Sequence, residues 1–264
     1  MNIRATLSLL KKMALADLKK RYASSYLGVF WAVGQPLLLS VAYILVFSIF
    51  MGDIMPSKRY AGAYFIPYYM LGYSLWVVFA DIVGRSSFLL REQQHLVTKI
   101  KFPHVILPLQ LILSASIPFM TVLIVGVVSA AYKGCLFFPW QFYYPFLAMF
   151  CAMLLTLGCS WIASAIGVYI ADFGQLISVA LTLGFFATPI LYPADMAIQK
   201  GGLVSAAVKY NPFSIIVDLF RGPMMGVKIV WSGEIVYMII ISMIIFFLGI
   251  WCYRKLEKGF ADVL

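Results

Sequence analysis

Apolar residues in this chain fall in long unbroken runs, without the short alternations of a soluble fold. Residues 22–52, 60–80, 102–132, 134–171, 173–194 and 235–253 contain no Asp, Glu, Lys or Arg, and the shortest run has 19 residues. About 20 apolar residues in a helix cross ~30 Å of hydrocarbon. A charge at the bilayer centre costs roughly 2.5–3.5 kcal/mol or more, which explains why the runs exclude it. The pattern predicts six spans: 29–51, 64–84, 103–131, 146–170, a short fifth within 173–194, and 233–253. Pro36 and Pro118 fall inside the first and third and predict kinks. Cys159, Ala163 and Gly167 form a small-residue stripe on the fourth, suited to close helix approach.

The segments between the runs carry their own periodicity. Over 6–20, Leu7, Leu10, Ala14 and Leu18 share one helical face, and Lys11, Lys12, Lys19 and Lys20 supply the polar side. A basic amphipathic helix of this kind lies in the membrane interface. Residues 85–101 are amphipathic again, with Leu89, Leu96 and Ile100 on one side and Arg91, Glu92, Gln93 and Lys99 pointing elsewhere. Asp81 sits at the end of the second span beside Arg85, a placing that suits an interfacial ion pair better than a proton relay. The run 173–194 ends in two prolines, Pro189 and Pro193, which predict that the helix breaks and the chain turns back. Residues 194–232 are too polar to span and too apolar for a plain loop, and 212–225 reads as a short helix tucked into the membrane. The fold class is therefore all-α: one polytopic domain over 1–264 with six transmembrane helices, an N-terminal interface helix and short gate-like helices before the last span.

Composition agrees. The chain has 264 residues, 63% hydrophobic and 11% charged, against roughly 25% charged in soluble domains. The net charge of +10 fits anionic lipid headgroups on one side of a membrane and gives no reason to invoke nucleic acid. Six spans place the N-terminus, the 85–102 connection and the C-terminus on one side, with 13 Lys and Arg against 7 opposite. The excess predicts that both termini are cytoplasmic and that the opposite, external side holds 194–232. No secretory signal is expected, since the first apolar run is too long and starts too late.

The chemistry of catalysis is missing from the sequence. Cys135, Cys151, Cys159 and Cys252 form no Cys-x-x-Cys pair, and His95 and His104 have no matching acid or cysteine cluster. There is no phosphate-cradling Gly-x-x-x-x-Gly-Lys-[Ser/Thr] loop, no Gly-x-Ser-x-Gly elbow and no His-Glu-x-x-His pair. No catalytic residue, metal or cofactor is expected in the chain itself.

Four motifs in order carry a resemblance. Arg21, Tyr22, Ser25, Leu27, Gly28, Trp31 and Pro36 lead from the basic segment into the first span. Lys101, Phe102, Pro103 and Pro108 follow the second connection, and residues 188–193 read Thr-Pro-Ile-Leu-Tyr-Pro. Tyr210, Asn211, Pro212 and Phe213 precede Phe220 and Arg221. Together they resemble the permease subunits of ATP-binding-cassette polysaccharide exporters along essentially the whole chain. One departure is Ala171 before Asp172, where that family often has Arg.

The resemblance implies a homodimer working with two copies of a cytoplasmic ATPase subunit that binds ATP and Mg, in the bacterial inner membrane. Its cargo would be a lipid-linked polysaccharide: O-antigen first, with capsule or teichoic acid polymers as alternatives. It makes 85–101 a coupling helix, with Arg91, Glu92, Gln93, Leu96 and Lys99 as contacts and Asp172 and Phe173 as a second, smaller one. Lys19, Lys20 and Arg21 lie at the depth of a lipid diphosphate entering from the cytoplasm. Tyr43, Phe47, Phe185 and Phe186 are candidates to line a substrate path by packing on sugar C–H faces. Tyr192, Asn211, Phe213, Phe220 and Arg221 would form the external gate. Two further readings stand beside this one: a small-molecule efflux permease on the same scaffold, and a membrane-embedded transferase using Asp81, His95 and Asp172.

Overall fold

A computed structural model describes residues 13–14, 16–19, 21, 25–95, 104–137, 141 and 143–263. Five long helices form its frame: α1 (Phe30–Met51), α2 (Phe65–Glu92), α3 (Leu107–Tyr132), α4 (Tyr143–Tyr169) and, after a gap in order, α9 (Gly233–Leu256). Between α4 and α9 lie the shorter α5 (Phe173–Ala187), α6 (Ala194–Gln199), α7 (Gly202–Tyr210) and α8 (Pro212–Met224). A 3₁₀ turn, His104–Ile106, leads into α3, and a last turn of helix, α10 (Phe260–Val263), follows α9. The five long helices are each apolar enough to cross a membrane. The all-α, polytopic architecture expected from the charge-free runs is the one observed.

Helix α2 is the central column and packs most heavily on α3 and α4, while α4 packs equally closely on α9. Some 67% of the apolar stretch of α2 is buried, against 17% for α1 and 22% for α9. The α4–α9 crossing is set by glycine. A methyl group built on Gly158 would strike the Ile245 carbonyl, and one on Gly249 would strike Gly158 itself. Without side chains there, the two backbones touch directly, as close packing in a membrane requires. The α2–α4 crossing is equally tight, since Gly167 lies against the Ser87 carbonyl. Buried Ser86 is satisfied both within its helix and across to α4: its Oγ bonds the Ile82 carbonyl at 2.6 Å and meets Ser160 Oγ at 2.6 Å. Both α1 and α3 run unbroken through Pro36 and Pro118. Ser40 Oγ donates to the Pro36 carbonyl at 2.8 Å, giving that backbone oxygen a side-chain donor.

One predicted boundary is corrected. The second span does not stop at 84 to begin a separate amphipathic helix at 85, because α2 continues to Glu92. Nothing breaks it at Gly84: Ser87 Oγ bonds the Gly84 carbonyl at 2.7 Å, and Leu89 and Leu90 are buried against a second hydrophobic cluster. The fifth span is helical only to Ala187, about 22 Å at the usual rise per residue. Beyond it the 188–193 segment turns, and α7 and α8 meet at a 67° bend. The tucked-in helix expected over 212–225 is α8.

The bundle has a basic end, with Arg21, Arg85 and Arg91, where α9 also finishes with Tyr169 Oη donating to the Leu256 carbonyl at 2.8 Å. The opposite, loop end holds 52–64 and α6. Helix α5 starts at the basic end, where Gly174 seats on the ring of Phe88, and climbs along α2 until Gly184 meets Trp76.

Candidate functional site

Helices α1, α2 and α5 enclose a cleft of about 280 Å³. Its wall is aromatic: Trp31 and Tyr43 from α1, Tyr73 and Trp76 from α2, and Phe185 and Phe186 from α5. Tyr43 and Phe185 approach to 5.2 Å between ring centroids, and Phe185 lies 6.0 Å from both Tyr73 and Trp76. Phe185 is one of only two buried residues on α5, while its neighbour Phe186 is half exposed. Such rings offer flat apolar faces with electron-rich centres. Tyr43, Phe185 and Phe186, the predicted path residues, thus meet in one cleft. Phe47 does not join them; it stacks on Phe65 at 6.5 Å, further toward the loop end.

The polar mouth of the cleft lies at its basic end, where Gln35, Arg21 and Asp81 also line it. Arg21 Nη1 is 2.9 Å from Asp81 Oδ1. Asp81 Oδ2 faces Arg85 Nε at 3.4 Å, and Arg85 Nη1 pairs with Asp17 Oδ2 at 2.9 Å. Arg85 Nη2 donates to Ser114 Oγ at 2.5 Å. Four alternating charges therefore clamp the N-terminal segment, with buried Ala14 beside them, onto α2 and α3. Asp81 pairs with Arg85, as expected, and also with a second arginine from 60 residues upstream. Arg21 is not an open cation, and Lys19 is exposed; Lys20 lies outside the described residues.

A second polar assembly sits toward the loop end. Arg221 of α8 is fully buried. Its guanidinium carbon lies 3.6 Å from the centroid of the Tyr68 ring, one amino group donates to the Tyr68 hydroxyl, and the same group donates to the Pro189 carbonyl at 2.8 Å. The Tyr68 hydroxyl donates onward to the Tyr192 carbonyl at 3.0 Å. One turn earlier, Asp218 accepts from Tyr60 Oη at 2.5 Å and pairs with Arg59 at 2.6 Å. Burial and the Asp218 carboxylate push the Tyr60 phenol well above its usual range, so it stays a donor. Asn211 caps α8 through its side-chain oxygen and donates to Thr188 Oγ1 at 2.9 Å. Phe213 packs on Phe79 at 4.8 Å and Trp76 at 5.2 Å, and Phe220 is buried. The five predicted gate residues, Tyr192, Asn211, Phe213, Phe220 and Arg221, therefore cluster around α8. Arg221 does not face an opening: it ties α8, α2 and the 188–193 turn together.

At the basic end the predicted contact residues divide. Arg91 turns inward and donates to the Val168 carbonyl at 2.9 Å, completing the last turn of α4. The guanidinium of this predicted contact residue is thus held by α4. Glu92 and Asp172 are exposed, Phe173 is half-buried, and Gln93 keeps its side-chain oxygen buried. Leu96 and Lys99 lie outside the described residues.

Sequence reasoning missed Trp31, Gln35, Tyr73 and Trp76 in the cleft, and Tyr60, Tyr68 and Asp218 around Arg221. A signal existed for part of this. Phe65, Tyr69, Tyr73 and Trp76 recur at helical spacing on α2, and in the structure Phe65 stacks on Tyr69 and Tyr69 on Tyr73. The Arg21–Asp81 pair left no such signal, because it joins distant segments.

Comparison with known proteins agrees with this architecture. The chain is 27% identical over 253 residues to the O-antigen export system permease protein RfbA of Klebsiella pneumoniae, covering 94% of this chain and 92% of that protein. It is 28% identical over 223 residues to a protein of the same name from Myxococcus xanthus, covering 81% and 78% respectively. Residues 8–225 match the ABC-2 type transporter family from the interface segment through α8, and the chain belongs to that family.

Proposed function

We propose that this chain is the permease subunit of an ATP-driven exporter of lipid-linked polysaccharide, O-antigen first among the cargoes. The observation that carries the reading is the aromatic cleft between α1, α2 and α5, with its charged mouth at the basic end. A glycan presents apolar C–H faces and hydroxyls together, and rings beside Gln, Arg and Asp match both. The names of the relatives point the same way. The sequence has no loop to hold ATP phosphates, which supports assigning hydrolysis to a separate ATPase subunit. The excess of Lys and Arg at the basic end supports a cytoplasmic position for that end and both termini, with the protein in the bacterial inner membrane. Glu92, Gln93, Asp172 and Phe173 are then the described residues that meet the ATPase, with Leu96 and Lys99 completing the contact. Two copies pair through the apolar faces that α1 and α5 leave uncovered. The α7–α8 hairpin closes the external side.

Deleting the gene tests the reading. Lipid-linked polymer should accumulate on the cytoplasmic face and surface polymer should disappear. Normal surface polymer in the deletion strain contradicts the proposal.

A further inference from the structure

Resting on the export reading, we infer that Asp81 is a resident counter-ion that occupies a diphosphate site, and that the diphosphate of a lipid-linked substrate displaces it. The site is built from Arg21 and Arg85. Arg21 Nη1 lies 2.9 Å from one Asp81 oxygen and 3.2 Å from the other. Arg85 Nε is buried, reaches Asp81 only at 3.4 Å and has no hydrogen-bond acceptor. A buried donor without an acceptor is unfavourable. The Asp81 carboxylate satisfies Arg21 and leaves Arg85 Nε unfilled. A diphosphate carries more acceptor oxygens, spread over two centres, and fits two guanidinium forks at once.

The remaining contacts of Arg85 hold the site in place when Asp81 leaves. Nη1 stays on Asp17 and Nη2 on Ser114. Arg21 and Asp81 also line the mouth of the aromatic cleft, so a headgroup bound there delivers its attached sugars to the rings. The balance of charge supplies selectivity. Arg21, Arg85, Asp17 and Asp81 sum to zero, so the closed mouth is no general trap for anionic lipid. A singly charged phosphodiester gains little by replacing one carboxylate, whereas a doubly charged diphosphate gains more.

The test uses the permease with its ATPase subunit in lipid nanodiscs, the nucleotide sites filled with a non-hydrolysable ATP analogue. Binding of farnesyl diphosphate, inorganic pyrophosphate and farnesol is measured. Asp81→Asn removes the competitor and should tighten farnesyl diphosphate binding about tenfold, with pyrophosphate moving in parallel and farnesol unchanged. Adding Arg21→Gln should abolish the gain. Asp81→Glu keeps the carboxylate and should bind as the wild type does, which separates loss of charge from misfolding. The inference fails if Asp81→Asn binds diphosphate no more tightly, if Asp81→Glu matches Asp81→Asn, or if binding follows the phosphatidylglycerol content of the disc alone. The deletion phenotype tests export independently, so either result stands without the other.

Discussion

Arg221 is the residue whose environment departs furthest from its type. A guanidinium at membrane depth normally reaches water or an acid, yet this one is fully buried against a ring and a carbonyl. Its nearest carboxylate, Asp218, is engaged by Tyr60 and Arg59. The planar cation therefore depends on stacking over Tyr68, which an ammonium cannot reproduce. Arg221→Lys should destabilise the protein by roughly 2 kcal/mol, read as a lowered melting temperature in detergent. Melting equal to wild type would remove the stacking argument. Gly72 serves the same tie, since a methyl there would sit 2.9 Å from Arg221 Nη1 and 3.0 Å from Val217. Gly72→Ala should lower the melting temperature in the same direction by a smaller amount. The sequence marked Arg221 through its motif but not its partner ring, which lies 153 residues away.

At the scale of elements, helix existence was legible and helix ends were not. Charge exclusion marks where hydrocarbon begins, so every long helix falls within or across a charge-free run. It does not mark where a helix stops: α2 passes Arg85 and keeps winding, because Arg85 finds Asp17, Asp81 and Ser114 at the interface. The shortness of α5 was signalled by Pro189 and Pro193, but its resting place against Trp76 was not. The small stripe on α4 was half legible. Ala163 and Gly167 are buried on it and Gly167 meets the Ser87 carbonyl, yet the Gly158 contact with α9 lies outside the predicted stripe. Gly158→Val must separate two backbones in contact. Overpacking of this kind costs about 1–3 kcal/mol, and more where backbone must shift. The expected result is reduced yield and a lower melting temperature, with Cys159→Val, one position away and only partly buried, much milder. Equal effects at the two positions would show that the α4–α9 crossing is not set by the glycine.

For the whole molecule, burial is uneven in a way that one chain in lipid does not require. Helix α2 is the most buried of the long helices, whereas α1 leaves Leu38, Leu45, Ile49 and Phe50 exposed, and α5 leaves Leu176, Val179, Leu183 and Phe186 exposed. Lipid can cover such faces, as it covers the outer face of α9. But α1 and α5 flank the aromatic cleft, and lipid filling the gap between them would block any polar cargo. A second copy seated there would exclude lipid and leave the cleft open to a shared passage. In a variant with Cys135, Cys151, Cys159 and Cys252 replaced by alanine, Leu183→Cys should cross-link to Leu38→Cys or to itself between copies with a short bis-maleimide in native membranes. Val236→Cys, on the exposed face of α9, should stay monomeric under the same conditions. Cross-linking at Val236 in preference to Leu183 would place the partner on α9, leaving the cleft facing lipid and a polar cargo without a route through it.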